Sequence, residues 1–363
     1  MAVCALLMTS SCKNGTVEFD NYDYQTIYFA NQYYVRTIQL GDDVYPTDDD
    51  NQHKFYIKAT LGGDRNFKGD HTVKIAVDNS LCEGLTFTST GEKVTPMPTE
   101  YYTLGGSTIT IPSGSISGGV EVQLTDAFFA DPKALEANYV IPIRLVEAAG
   151  NDSILSGSKK QTVASPVLQK SDDWDVAPKN YTLVAVKFKN RYHGAWISHG
   201  TDQIDTDGTT STVEREAEYL EKNDIRYMTS LGLNKVQYPL TTLVDITNTA
   251  GEAATATLTA NLILNIADDG TVTYSAQNNT GLAVPGSDGT YSYEVSGTGQ
   301  WEYQGAKKAW GDKDRDQLTL NYVLTYKYMD KGAQHVKTYT CKDILVFRDH
   351  QNAMETYEVT YNQ

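Results

Sequence analysis

Short runs in which apolar and polar residues alternate recur along most of this 363-residue chain. A period of two places successive side chains on opposite faces of a strand, so each run predicts a strand with one buried face. Tyrosine is abundant, with 25 residues against 9 phenylalanines, and aromatic residues favour strands over helices. The sequence therefore predicts an all-β protein. The clearest runs are Phe55, Ile57, Ala59, Leu61 and Leu318, Leu320, Tyr322, Leu324, Tyr326, Tyr328.

The spacing of these runs divides the chain into two predicted domains. About seven short strands, separated by Gly, Asp, Asn and Pro, fall between residues 22 and 146, which is typical of an immunoglobulin-like β-sandwich. We assign this domain to residues 20–165 and the polar residues 166–180 to a linker. Eight to ten antiparallel strands are expected in residues 181–363, and a sheet of that size favours closure into a β-barrel.

Three local patterns give more specific expectations. Asp131-Pro132 can cap and begin a short helix over residues 133–138. Asp268-Asp269-Gly270 predicts a hairpin turn between two alternating runs. Residues 213–231 combine a helix-favouring stretch at 214–218 with a period of two, and the alternation favours a hairpin turning at residues 222–224.

The N-terminus has the character of an export signal that ends at a cysteine. Residues 2–8 are apolar, and the small residues before Cys12 resemble the lipobox of a bacterial lipoprotein, whose peptidase accepts only small side chains there. No Lys or Arg precedes the apolar segment, so we expect the natural start to lie further upstream. On this interpretation residues 1–12 are a signal remnant, Cys12 carries the lipid, and the protein is exported to the outer membrane and cell surface. The alternative is an apolar N-terminus with an incidental cysteine.

Charge and cysteine content exclude several partners. The net charge is −16, from 46 Asp and Glu against 30 Lys and Arg, and such a surface repels nucleic-acid phosphates and anionic lipid head groups. Nucleic-acid binding is therefore not expected, and the membrane would be contacted through the lipid anchor alone. Cys82 and Cys341 lie far apart in sequence and are expected to be buried free thiols.

Several strings match a known family. In the first half these are TIYFANQ (26–32), VRTIQLG (35–41), ITIPSG (109–114) and YVIPIRL (139–145), and in the second WDVAPKNY (174–181), YHG (192–194), LVFRD (345–349) and MET (354–356). The first half resembles the N-terminal β-sandwich domain of unknown function in Bacteroidetes surface lipoproteins. The second half resembles a lipocalin-like domain of unknown function that often follows it. Such proteins are encoded near glycan-uptake systems, so the resemblance implies carbohydrate capture beside outer-membrane glycan-uptake components.

No catalytic or cofactor motif emerges from the sequence. The six histidines lack the HExxH, HxxxE and HxH spacings of metal sites. Residues 312–316 begin like a calcium loop, but Gln317 replaces the turn glycine and Val323 replaces the bidentate glutamate. GxSxG, GxGxxG and the P-loop are absent. We therefore expect no cofactor, no metal and no enzymatic activity, and keep an unrecognised hydrolase as a minor alternative.

Aromatic residues supply the candidate binding site. A sugar ring has apolar C–H faces and a polar rim, so its binding sites combine a flat aromatic ring with carboxylate, amide and hydroxyl groups. Trp301 and Tyr303 share one face of a strand, and Trp310 follows in a polar loop where a core position is less natural. The alternative is that these rings fill the barrel core. The candidate ligand-binding residues are Trp310, Trp301, Tyr303, Trp196, His193 and Asp312.

These observations favour a non-catalytic cell-surface lipoprotein that binds a glycan or glycan-derived ligand. The alternative is a structural or adhesive surface component with a filled barrel and no small ligand. A ligand-sized cavity would favour the first interpretation and a filled barrel the second.

Overall fold

The computed structural model describes residues 21–65, 68–150 and 152–362. Strands dominate these residues, which confirms the all-β prediction. No helix in the described ranges is long and apolar enough to cross a membrane. The predicted signal and Cys12 lie outside the described residues.

The first unit is a β-sandwich. Its strands are β1 (Gln25–Tyr28), β2 (Tyr33–Gln39), β3 (Lys54–Gly63), β4 (His71–Val77), β5 (Leu85–Phe87), β6 (Thr95–Pro96), β7 (Tyr102–Leu104), β8 (Thr108–Ile111), β9 (Ser117–Leu124), β10 (Tyr139–Ala148), β11 (Ser153–Ile154), β12 (Ser158–Lys159), β13 (Trp174–Val176) and β14 (Tyr181–Lys189). One sheet has the order β11-β1-β3-β9-β7, and the second contains β2-β14-β10-β4-β8. Ile27, Ile57 and Val122 of the first sheet pack with Ile141 and Val184 of the second, and all five are fully buried.

The position of β14 changes the boundary expected from the sequence. Tyr181–Lys189 was assigned to the second domain, but it lies between β2 and β10 at the centre of the sandwich sheet. Its nearly continuous burial, including Leu183, Val184 and Ala185, is typical of a strand covered on both faces. A strand with this burial fits the middle of a sandwich better than the wall of a barrel.

Helical segments are short and connect the strands. Asp131 caps the segment predicted after it by accepting a hydrogen bond from the Lys133 N–H at 2.9 Å, although the segment ends at Leu135 because Glu136 is extended. The α-helices are α1 (Asp48–Asn51) and α2 (Asp126–Ala130), and the single 3-10 turns are Asn79–Cys82, Thr99–Tyr101, Pro132–Leu135, Ser171–Asp173, Leu220–Lys222 and Trp310–Asp312.

The second unit is a closed antiparallel barrel. Its strands are β15 (Gly194–Thr206), β16 (Thr209–Arg215), β17 (Asp224–Gly232), β18 (Lys235–Thr247), β19 (Ala253–Ile266), β20 (Thr271–Ala276), β21 (Leu282–Ala283), β22 (Thr290–Ala306), β23 (Arg315–Asp330) and β24 (Ala333–Asp349). They follow the order β15-β17-β18-β19-β20-β22-β23-β24, and β24 pairs with β15 to close the ring. Five residues of its core are fully buried: Leu258, Leu262, Leu318, Leu320 and Leu345. Cys341 is a buried free thiol of the same core, and Cys82 of the sandwich is a buried free thiol as well.

One predicted hairpin of the barrel is confirmed and the other is wrong. Residues 268–270 turn β19 back onto β20. β16 and β17, by contrast, lie end to end along the same edge of β15, with Arg215 opposite Gly200 and Asp224 opposite Ser198. Arg215 points into the barrel and binds two carboxylates there, which fixes the end of β16 on β15.

Tyrosine hydroxyls replace strand pairing along part of the barrel wall. β18 pairs with β17 through residues 235–237, and β19 pairs with β20 through residues 262–266. Beyond these residues, the described chain places no strand beside the outer edges of the β18–β19 ribbon. The Tyr291 hydroxyl accepts from the Thr259 N–H at 3.3 Å and donates to the Thr259 carbonyl at 3.0 Å, and Tyr326 donates to the Leu240 carbonyl at 3.2 Å. These contacts satisfy backbone groups that would otherwise be buried without partners.

After the barrel, the chain returns to the sandwich. β25 (Glu355–Thr356) pairs with β2, and β26 (Val359–Tyr361) pairs with β5. The fully buried His350 ring contacts both units, because its Nδ1 lies 2.6 Å from the His193 carbonyl and its Nε2 lies 3.1 Å from the Asp42 carbonyl. The two units are therefore joined by strand pairing and by this buried imidazole.

Candidate functional site at the sandwich end of the barrel

A bulge in β22 presents the residues of the candidate site. Glu302 pairs with Gln317 and Ala306 pairs with Arg315, so residues 303–305 face the single residue Asp316. Gln304 adopts a left-handed backbone conformation with φ of 49°, which is uncommon for a residue with a side chain. The Asp316 carboxylate holds this conformation by accepting the Gln304 N–H at 2.9 Å. Bulges and strained backbone of this kind are enriched at functional sites.

The bulge directs Tyr303 toward the sandwich. The Tyr303 hydroxyl donates to Asp42 Oδ2 at 2.7 Å and accepts from Gln304 Nε2 at 3.0 Å, while 53% of the residue stays exposed. The hydrogen bond to Asp42 raises the pKa of Tyr303, so the hydroxyl remains a neutral donor at physiological pH. An exposed ring, a carboxylate and a carboxamide therefore lie together where the two units meet.

Trp301 lies beside Tyr303, as its position on the strand predicted. The two ring centroids are 6.4 Å apart. The Arg191 guanidinium carbon lies 5.0 Å from the Trp301 ring centroid, and the Tyr192 ring contacts Trp301 edge-on at 5.5 Å. Burial raises the pKa of Asp316, against the opposing effects of its hydrogen bond from Gln304 and of Arg191. Trp301 is thus held between a cation and a buried ring, with Tyr303 as the exposed member of the pair.

The loop after the bulge carries Trp310 and Asp312. Trp310 is half-buried, with the Arg348 guanidinium carbon 5.0 Å from its ring centroid, and its carbonyl accepts from Arg315 Nε at 3.0 Å. Asp312 is exposed and, like Lys308, has a positive φ. With Gln304, three non-glycine residues therefore adopt left-handed conformations within nine positions of the chain.

The structure gives Trp196 and His193 packing and hydrogen-bond partners inside the protein. Trp196 is fully buried, donates from Nε1 to the Tyr192 carbonyl at 3.0 Å and contacts Phe347 at 5.1 Å. His193 Nδ1 accepts from the Ser230 N–H at 3.1 Å, and burial lowers the pKa of His193 to about 3. Trp196 belongs to the barrel core and is fully buried, so the expectation that it contacts a ligand does not match its position.

A charged cluster lies inside the barrel. Asp343, which is 2% exposed, accepts from Arg215 Nη2 and from the Tyr322 hydroxyl at 2.9 Å. Arg215 also binds Asp202 in a bidentate manner, at 2.8 and 2.9 Å. Burial raises the pKa of Asp343, although Arg215 opposes this effect. Burial opposes a charged Arg215 too, but the two carboxylates more than compensate and raise its pKa.

The cavity beside this cluster is too small to hold a sugar ring. The cavity is about 60 Å³, well below the ~300 Å³ at which ligand pockets begin, and has room for a few water molecules. Burial raises the pKa of Cys341, which disfavours the reactive thiolate form. Arg215 binds both carboxylates, whereas a glycosidase needs two carboxyl groups facing a glycosidic bond. In the described residues, no group of three or more His, Cys, Asp or Glu is placed to hold a metal ion.

The protein therefore consists of two all-β units. The barrel is largely filled, and the strained bulge presents side chains at the surface, where they can contact another molecule. Residues 191–351 match the family model described as a domain of unknown function (DUF5627), and residues 19–152 match that of an N-terminal domain. A crystal structure from Bacteroides ovatus, of unknown function, is 34% identical with a TM-score of 0.75, covering 94% of this chain and 100% of that one. The chain belongs to the family of that protein.

More distant structures carry less information. Another Bacteroides ovatus structure of unknown function is 15% identical with a TM-score of 0.38, covering 92% of this chain and 99% of that one. A third, from Bacteroides ovatus ATCC 8483 and named as a candidate carbohydrate binding protein, is 13% identical with a TM-score of 0.27, covering 93% of this chain and 81% of that one. No curated protein matches the chain.

The sequence prediction missed the polar half of the candidate site. Asp42 and Arg191 come from segments remote from β22, and nothing in their local sequence indicates that they approach Trp301 and Tyr303. The one local signal for the bulge is the break in alternation at Gln304-Gly305.

Proposed function

We propose that the protein is a non-catalytic cell-surface lipoprotein that binds glycans through the site around Tyr303. The observation that carries this proposal is the strained bulge, which holds an exposed aromatic ring beside Asp42 and Gln304. A sugar ring would stack its C–H face on Tyr303 and hydrogen-bond its hydroxyls to the carboxylate and the carboxamide. Asp312 and the free edge of Trp310 would contact the neighbouring part of the ligand.

The negative charge of the protein limits the kinds of glycan that it would bind. The chain carries a net charge of −16, and the three carboxyl groups of the site, on Asp42, Asp312 and Asp316, outnumber the two guanidinium groups that lie on its tryptophans, from Arg191 and Arg348. Anionic polysaccharides would be repelled by this charge. Neutral glycans are therefore the expected ligands.

The proposed location rests on the N-terminal sequence and on family membership. Cys12 would carry the lipid that anchors the protein to the outer membrane, on the cell surface. In that position the protein would pass glycans to outer-membrane uptake components. The resemblance to Bacteroidetes surface lipoproteins and the Bacteroides ovatus relative support this assignment.

Affinity electrophoresis in gels containing starch, xylan or mannan, followed by calorimetry on matching oligosaccharides, tests the proposal. Tyr303→Ala should weaken binding at least tenfold, about 1.4 kcal/mol. Tyr56→Ala is the matched control, because Tyr56 is 41% exposed and also donates its hydroxyl to a carboxylate, Glu121, at 3.0 Å. Equal binding by wild type and Tyr303→Ala would show that the site is elsewhere.

A structural or adhesive role is the second candidate. The observation that favours it is the small volume of the barrel cavity, about 60 Å³, which leaves no interior space for a ligand. A wild-type protein that binds none of the polysaccharides would support this role and would refute glycan binding at Tyr303.

A further inference from the structure

A second cleft lies on the outer face of the barrel, away from the bulge in β22. It has a volume of about 250 Å³ and is bounded by β17, β18 and β19 on one side and by the segment after β20 on the other. Four carboxamide side chains line it, from Gln237, Asn261, Gln277 and Asn278. This volume is close to the ~300 Å³ lower limit of small-molecule pockets, so the cleft suits a single ring.

The four carboxamides are free to bind a ligand. Within the described chain, none of them forms a hydrogen bond to another residue. Each presents two N–H donors and one carbonyl acceptor, so together they match a group whose hydroxyls both donate and accept. No Asp, Glu, Lys or Arg lines the cleft, although 76 of the 363 residues are of these types (46 acidic and 30 basic). The cleft therefore selects for an uncharged ligand.

The rest of the cleft is apolar and fixed in position. Ile263 points outward by strand alternation yet is 8% exposed, and Leu282 lies on the opposite wall. Tyr291 closes one side, with its hydroxyl bound to both backbone groups of Thr259. Asn278 holds a left-handed φ of 50°, a turn conformation that asparagine adopts readily. An apolar base with a rim of amides is complementary to the C–H face and hydroxyl edge of a pyranose.

We propose that this cleft binds one uncharged sugar residue and forms a second contact point for a glycan chain. This second site is separate from the site around Tyr303. The inference depends on the proposed function only for the class of ligand, a glycan. Two separated contacts on one molecule increase the affinity for long chains relative to short ones, because the second contact forms within the complex.

The test compares cleft variants with a matched control in the full exported chain. Asn261→Leu combined with Gln277→Leu removes two of the four carboxamides from exposed positions. Asn321→Leu is the control, because Asn321 is an exposed carboxamide on β23 outside the cleft. The probes are neutral hexasaccharides and disaccharides of the polysaccharide that wild type retains in the gel, and calorimetry gives the affinities.

The double cleft variant should lose at least tenfold in affinity for the hexasaccharide, and Asn321→Leu should bind like wild type. Adding Tyr303→Ala should reduce the affinity further. If the cleft variant binds normally while Tyr303→Ala fails, the second site is refuted and the proposed function stands. If the cleft variant fails while Tyr303→Ala binds normally, the cleft is the binding site and the Tyr303 proposal is refuted. A wild type that binds no probe overturns both.

Discussion

Arg215 is a residue of the barrel interior whose loss should lower stability in a pH-dependent manner. Its guanidinium binds Asp202 and the 2%-exposed Asp343 at once. Arg215→Met keeps the aliphatic stem but leaves both carboxylates without their cation. Removing one partner of a buried ion pair costs about 3–5 kcal/mol. Because the Arg215 side chain is 16% exposed, we expect the lower end of this range, about 3 kcal/mol. For a unit of this size that corresponds to a loss of about 6–12 °C in Tm.

The pH dependence of this effect has a defined sign. Burial raises the pKa of Asp343, and Arg215 opposes that rise. Without Arg215 the pKa of Asp343 rises further above its value in the unfolded chain. The folded state then binds the proton more tightly than the unfolded state, so stability increases as pH falls through the raised pKa. The difference in unfolding free energy between wild type and Arg215→Met should therefore be largest at neutral pH and shrink toward pH 4.

Urea unfolding at pH 7, 5.5 and 4, followed by tryptophan fluorescence, measures this difference. Arg226→Met is the matched control: Arg226 also lines the cavity, but its nearest carboxylate, on the exposed Asp224, lies 3.7 Å away. The control should lose less than about 1 kcal/mol. Adding Asp343→Asn to Arg215→Met should recover part of the loss, because it removes one uncompensated charge. A loss that does not change with pH, or that Arg226→Met matches, would refute the argument.

Three further predictions concern the anchor, the unit boundary and the loop tryptophan. Cys12→Ala should leave the protein unlipidated and soluble in a lipoprotein-processing host, and a variant that still fractionates with membranes would contradict the proposed anchor. A fragment of residues 190–352 should melt cooperatively in calorimetry. A fragment of residues 21–165 should not, because it lacks β14. Cooperative melting of the 21–165 fragment would contradict the observed boundary. Trp310→Ala should weaken glycan binding while Tm changes little, and a loss of several degrees with unchanged binding would identify a packing residue.

Alternation predicted the strands well because it depends on local chemistry. Leu318 to Tyr328 form a barrel strand with inward-facing Leu and Tyr, and the Asp268–Gly270 turn joins β19 to β20. Alternation does not show which strands pair with each other. The sequence of β14 does not indicate its partners, and its position between β2 and β10 is set by contacts with residues 37–150 positions earlier.

The candidate site was predictable in part for the same reason. Trp301 and Tyr303 share a strand, and their proximity follows from its period of two. Trp196 also lies on a strand, but periodicity does not say which face is inside when both neighbours are apolar, and the structure buries it. Asp42 reaches Tyr303 across 261 positions of sequence, a relation that no local pattern contains.

The return of the C-terminal strands to the sandwich has a consequence for the order of folding. Thr360 contacts Thr86 across 274 positions, and β25 forms an edge of the sheet whose other strands precede the barrel. Because a chain is synthesised from its N-terminus, all residues of the barrel are made before the last two strands of the sandwich. Until then the part of the Leu85 and Phe87 cluster that Tyr357, Val359 and Tyr361 pack against stays uncovered. The sandwich is therefore the first unit to be made and the last to be finished, and its incomplete edge is open to chaperones and misfolding contacts until synthesis ends.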